Sequence, residues 1–151
     1  MSEIVKACGI VIFRREDELK FLMMRTGTFY EPGGKGKQEV GETDFETAVR
    51  ETEEECGLTI KDLTFPFGQM YSFETEKYKK NKKFVRYYIA ETKVKEIDIP
   101  INPEYGKREH DAYFWMNYDE SYKVSGPRIQ AVLTWAKNLI DGKNESTISS
   151  K

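Results

Sequence analysis

The sequence predicts an α/β fold in which a mixed β-sheet carries helices on both faces. Three observations lead there. Strand-like alternation and short apolar runs are interrupted by two segments of helical periodicity, in the order strands, helix, strands, helix. No internal repeat or domain-sized linker divides the 151 residues, so 1–141 read as one domain followed by a short tail. The hydrophobic, charged and aromatic shares of 38%, 33% and 13% supply one core under a well-charged surface.

The elements follow in order. "IVKACGIVIF", residues 4–13, mixes alternation with an apolar run, as a buried strand does. "ELKFLMMR", residues 18–25, follows the polar turn "REDE" and suits a hairpin partner. Residues 26–42, "TGTFYEPGGKGKQEVGE", hold five glycines and a proline and read as a long functional loop. A helix comes next: Thr43 and Glu46 make a capping box, and Gly57 closes the last turn. Phe45, Ala48, Val49, Thr52 and Cys56 would face the core, leaving Glu46, Arg50, Glu51, Glu54 and Glu55 opposite. "LTFPFGQMYSFETE" and "FVRYYIAETKV" read as strands joined across the basic tip "KYKKNKK", and "DAYFWMNY" as a further strand. The last helix starts near Pro127 and runs to about Asp141, with Ile129, Val132, Leu133, Ala136, Leu139 and Ile140 on its apolar face. Residues 142–151, "GKNESTISSK", have the composition of a disordered tail.

Bulk properties narrow the function. A net charge of -2 and a pI near 5.6 argue against bulk electrostatic binding to nucleic acid. No run reaches the roughly 18 apolar residues of a membrane span, and "MSEIVKACGIVIF" is too short and too alternating for a signal peptide. Cys8 and Cys56 both lie in apolar-patterned segments and read as buried thiols of a cytoplasmic protein.

The acidic helix carries the chemistry. Glu51, Glu53, Glu54 and Glu55 crowd four carboxylates into five positions, and like charges three or four apart cost about 0.2–0.5 kcal/mol per pair. Glu51, Glu54 and Glu55 stand at i, i+3 and i+4 and share one helical face. Such a face is either merely solvated or gathered by a hard divalent cation, which favours all the ionised forms. Arg50 stands one turn before Glu54, within reach of its carboxylate, and the glycine-rich loop just upstream can aim backbone groups at the same place.

From Gly36 the chain reads Gly-x5-Glu42-x7-Arg50-Glu51-Thr52-x-Glu54-Glu55-x-Gly57-Leu58, which resembles the Nudix box in all seven fixed residues. Thr52 stands where a large aliphatic is usual, and the doublet Gly33-Gly34 lies two residues early. The resemblance implies an α+β chain folded as an αβα sandwich that hydrolyses a nucleoside diphosphate linked to another group, with magnesium or manganese. It makes Glu51 and Glu55 the principal metal ligands and Glu54 a further ligand or base. It gives the Lys35 carbonyl a metal contact, Glu42 and Arg50 the task of orienting the glutamates, and Gly36 and Gly57 structural support.

Within that family the chain is most similar to the asymmetric diadenosine tetraphosphate hydrolases, through "RETEEECG", Lys35-Gly36, "FVRYYIAE" and "REHDAYFWM". This implies a small dinucleoside polyphosphate as substrate, cut into ATP and AMP, and a monomer with no membrane or nucleic-acid partner beyond a capped RNA end. It sets Arg86 near phosphate, Tyr87 against adenine and Glu109 as an extra metal ligand or general base, with His110 as a structural neighbour. Tyr30, Lys35, Lys37 and Lys83 would contact substrate, and Tyr122 is the nearest candidate for a second ring. Arg86 and Tyr87 alternate on a strand, so they cannot both point into one pocket. Alternative substrates are inositol pyrophosphates, RNA caps and other nucleotide derivatives. A non-catalytic binding module is the remaining reading, although no ligand glutamate is missing.

Overall fold

The computed structural model describes residues 4–78, 81–103 and 106–142. Its organising strand is β1 (Ile4–Arg15), which is apolar on both sides. Cys8, Ile10 and Ile12 pack on one face with Leu22, Met24, Ala48 and Cys56. Val11 and Phe13 pack on the other with Phe21, Met23, Val85, Ile89, Val132, Leu133 and Ala136. A strand covered on both faces reads as a near-continuous apolar run, which is what the sequence shows here.

One edge of β1 runs parallel to β7 (Asn81–Thr92), from Ile4 opposite Lys82 to Phe13 opposite Glu91. The other edge is divided between two antiparallel partners. Its first half pairs with β4 (Gly34–Lys37) and its second with β2 (Leu19–Thr26). From there β2 pairs with β3 (Phe29–Pro32) and β8 (Ala112–Met116). On the far side β7 takes β5 (Leu63–Thr64) and β6 (Tyr71–Tyr78), giving a mixed sheet of eight strands among the described residues. Helix α1 (Asp44–Cys56) covers one face. On the other lies α3 (Pro127–Ile140), with the short α2 (Tyr118–Lys123) leading into it. This is the expected mixed sheet between helical layers.

The α1 boundaries follow its caps. Thr43 Oγ1 accepts from the Glu46 amide at 3.1 Å, and Glu46 Oε1 accepts from the Thr43 amide at 2.9 Å. Gly57 then turns the chain at φ 74°, where an added Cβ would lie 2.8 Å from the Asp98 carbonyl oxygen. Three expectations change. Residues 26–42 contain β3 and β4 rather than one loop, because neither "FYEP" nor "GKGK" carries alternating apolar residues. The stretch 63–76 breaks into β5 and β6 around Pro66 and Gly68. Glu51 and Glu55 are buried along with Thr47, Ala48, Thr52 and Cys56, so the acidic side of α1 is not simply its solvent side.

Both cysteines are free and buried; burial pushes the Cys8 thiol up to about 11 and the Cys56 thiol well above its ordinary value. No helix among the described residues is long and apolar enough to cross a membrane. Residues 79–80 of the basic tip and 143–151 of the tail lie outside the described residues.

Candidate active site

β4 packs unusually close to α1, and glycine makes this possible. A Cβ on Gly34 would fall 2.7 Å from the Thr52 Cα, and one on Gly36 would fall 2.1 Å from the Glu51 carboxyl carbon. Gly33, at φ 54°, turns the chain into β4 where a side chain would strike the Ile10 carbonyl oxygen at 1.9 Å. The early glycine doublet therefore serves the packing of β4 on β1 and α1. The Glu51 carboxylate occupies the space that a side chain at position 36 would fill.

An ion-pair network fixes the helix against this strand. Arg50 Nε donates to Glu42 Oε2 at 2.6 Å and its Nη2 to Glu42 Oε1 at 3.1 Å, a bidentate pair. Arg50 Nη1 donates to Glu51 Oε2 at 2.8 Å and reaches Glu54 Oε2 at 3.2 Å, while Nη2 also donates to the Lys37 carbonyl at 2.9 Å. Glu42 is held further by the Thr47 hydroxyl at 2.8 Å and the Glu39 amide at 3.0 Å. The Arg50 guanidinium is the main cause that brings the Glu42 carboxyl down to about 2. One arginine thus joins the β4 loop to three glutamates.

A third segment arrives from the end of the long connection before β8. The Glu109 carbonyl accepts from the Thr26 hydroxyl at 3.1 Å. Asp111 accepts from Arg25 Nε at 3.0 Å and from the Gly27 amide at 2.9 Å. These bonds clamp Glu109 and His110 to the β2–β3 turn, above the carboxylates of α1. One oxygen each from Glu51, Glu55 and Glu109 then lie within 4.8 Å of one another.

The electrostatics suit a cation. Burial pushes the Glu51 carboxyl upward, opposed by hydrogen bonding to Glu55 and Arg50. Glu55 is driven far upward by burial, by Glu51 and by the charges of Glu31 and Glu109. Two buried carboxylates that resist ionising, with a third hard oxygen donor from Glu109 beside them, are a donor set that a divalent cation completes, because its charge favours the ionised forms. Glu54 differs: its side chain is 47% exposed and points to the rim, held by Arg50.

The cleft over this triad has a volume of about 820 Å³. Lys35, Lys37 and Lys83 line it together with Arg50, Glu51, Glu54, Glu55 and Glu109, so most of the expected site residues converge. The Lys35 amide donates to Glu55 Oε1 at 3.4 Å. Four aromatic or basic candidates are not among the residues that line the cleft. Arg86 points to the α1 side, where Nη1 donates to Asp44 Oδ2 at 2.7 Å and Nε to the Ser72 hydroxyl at 3.0 Å. Tyr87 points to the opposite face and is fully buried in the α3-side core, leaving no ring face to stack on a base. Tyr30 packs on Phe114 with ring centroids 5.9 Å apart. Tyr122 lies against Tyr118 on α2, also outside the cleft lining.

From sequence alone Glu31 is not singled out and His110 stands only as a structural neighbour of Glu109, yet both line the cleft. Glu31 lies in β3, within the stretch taken for loop, and His110 is buried beside it. Neither stands at a spacing that marks it out; only the fold brings them to Glu55.

The NUDIX domain family model matches residues 4–135. Over 130 residues, 80% of this chain and 84% of the relative, the sequence is 32% identical to the bis(5'-nucleosyl)-tetraphosphatase (asymmetrical) of Sus scrofa. The Caenorhabditis elegans protein of the same description is 29% identical over 129 residues, covering 81% of this chain and 86% of that one. Among solved structures, the C. elegans Ap4A hydrolase binary complex superposes with a TM-score of 0.79 at 24% identity, covering 91% of this chain and 98% of that chain.

Proposed function

The chain belongs to the NUDIX family, and from that premise we propose that it is a magnesium-dependent hydrolase of dinucleoside polyphosphates that cleaves diadenosine tetraphosphate asymmetrically to ATP and AMP. The observation that carries the reaction class is the convergence of Glu51, Glu55 and Glu109 in a cleft also lined by Lys35, Lys37 and Lys83. Support for the substrate comes from relatives described as asymmetrical bis(5'-nucleosyl)-tetraphosphatases over most of their length.

Glu51, Glu55 and Glu109 would hold magnesium. Bound there, it supplies charge neutralisation for the polyphosphate and a lowered pKa for attacking water. The chain's own groups do the rest. The three lysines attract and align phosphate oxygens. Arg50 keeps Glu51 and Glu54 oriented from its bidentate anchor on Glu42. Water adds its oxygen to one phosphorus of the chain, the bridging phosphorus–oxygen bond breaks, and the water proton passes to a rim carboxylate, Glu54 or Glu109.

Product identification tests the reading. With diadenosine tetraphosphate and magnesium, ATP plus AMP is the expected outcome. Two molecules of ADP would overturn the asymmetric cut. No cleavage would overturn the substrate and turn the test to inositol pyrophosphates and capped RNA. Replacing Glu54 or Glu109 singly by Gln assigns the base: loss of the proton acceptor lowers turnover by about 10²–10⁴-fold. An unchanged turnover excludes that residue from proton transfer.

A further inference from the structure

Behind the carboxylate triad lies a second cluster that shares Glu55 with it and adds Glu31 and His110, which the reaction above does not use. His110 is the one histidine of the chain and is only 5% exposed. Its Nδ1 stands 3.7 Å from Glu55 Oε1, and its Nε2 stands 3.9 Å from Glu31 Oε2. Both separations are longer than a hydrogen bond. His110 Nδ1 is buried and finds no hydrogen-bond partner among the described residues. Buried polar atoms are nearly always satisfied, so an orphaned imidazole nitrogen beside this pair of carboxylates points to a ligand.

We propose that Glu31, Glu55 and His110 form a second cation site, selective for a divalent transition metal of the manganese or zinc type, which shares Glu55 with the outer carboxylate site. One ligand atom from each of the three lies within 4.8 Å of the other two. Two carboxylates and a neutral imidazole balance a dication without leaving a buried net charge. An imidazole nitrogen in the donor set favours manganese or zinc over magnesium, which takes oxygen donors and keeps its waters. All three side chains line the open cleft, so an ion has a route in. The two sites differ in chemistry: the outer is all oxygen and hard, the inner includes nitrogen and is softer. The inner site goes beyond the substrate reading, because it requires only that the cleft bind cations.

Pulsed electron paramagnetic resonance on the full chain loaded with manganese tests this directly. Because the chain has one histidine, any imidazole nitrogen coupling to the manganese must come from His110. The expected result is a nitrogen-14 modulation that changes to nitrogen-15 frequencies when only histidine is isotopically labelled. Equilibrium dialysis is expected to give two manganese ions per chain for the native protein and one for Glu31→Gln or His110→Gln. Circular dichroism establishes that each variant remains folded. Manganese bound without nitrogen coupling overturns the inner site and leaves the outer carboxylate site standing. No manganese bound at all removes both.

Discussion

Glu55 is the residue where structure and chemistry meet most sharply. Its carboxyl ordinarily titrates at 4.5, and burial together with Glu51, Glu31 and Glu109 pushes it far upward. In the metal-free folded chain it therefore keeps a proton that the unfolded chain has lost. The native state binds more protons, so this group makes stability fall as pH rises above about 4.5. A bound dication reverses the sign by favouring the ionised form. Glu55→Gln removes the titration. In chelator at pH 8 the variant should melt above the native chain by about 2–4 °C, the equivalent of about 1 kcal/mol for a domain of this size. Saturating magnesium should raise the native melting temperature and leave the variant's little changed. A variant that melts lower than the native chain in chelator would contradict this account. The glutamates of α1 were legible in the sequence because their spacing is local. Glu31 and His110 were not, since only the pairing of β3 with β2 and the clamp at Asp111 bring them beside Glu55. For Arg86 and Tyr87 the alternation of a strand was legible and holds, with Arg86 on the Asp44 side and Tyr87 in the opposite core. Which face carries the cleft was not, because it depends on where β4 and the segment before β8 arrive.

Helix α1 shows what is readable at the scale of an element. Both of its ends were marked by local chemistry, the Thr43–Glu46 box and the left-handed Gly57. The start of α3 was marked in the same way by Pro127 in the first turn. Strand β4 carried no such mark. Its glycines look like a loop because their purpose is contact with a helix that begins seven residues after the strand ends. Helix α2 was missed although Asn117 and Glu120 form a capping box, because six residues are too few to display a period. The cap of α1 has a measurable weight. Thr43→Ala removes the oxygen that accepts from the Glu46 amide, at an expected cost of about 1 kcal/mol. Chemical denaturation should show a lower midpoint with an unchanged slope. Because the box sits two turns from Glu51, turnover of the folded variant should stay close to native. A large fall in turnover without loss of stability would instead mean that the helix start positions the carboxylates.

Over the whole molecule, the layer order was legible because two amphipathic helices separated by strands leave few ways to bury every apolar face. The way β1 divides one edge between β2 and β4 was not, since strand pairing is settled by contacts far apart in sequence. That division has an electrostatic consequence. The chain is acidic overall, with a net charge of -2, yet Lys35 and Lys37 on β4 and Lys83 on β7, the two strands that flank the first half of β1, all line the cleft. With a cation offsetting the six glutamates that also line the cleft, these lysines would attract a polyphosphate locally against a weakly repelling whole. Fields of this kind are screened by salt, with a Debye length that falls from about 10 Å at 0.1 M to about 3 Å at 1 M. The buried network of Arg50 with Glu42 and Glu51 is screened far less. With free magnesium held constant, raising potassium chloride from about 0.1 to about 1 M should therefore raise KM severalfold while kcat changes little. Lys83→Gln should raise KM at low salt and flatten its dependence on salt, because one of the screened attractions is already gone. Steady-state kinetics across the salt series check both effects. A native KM indifferent to salt would take the lysines out of substrate binding and leave the carboxylate triad as the sole anchor of the phosphate chain.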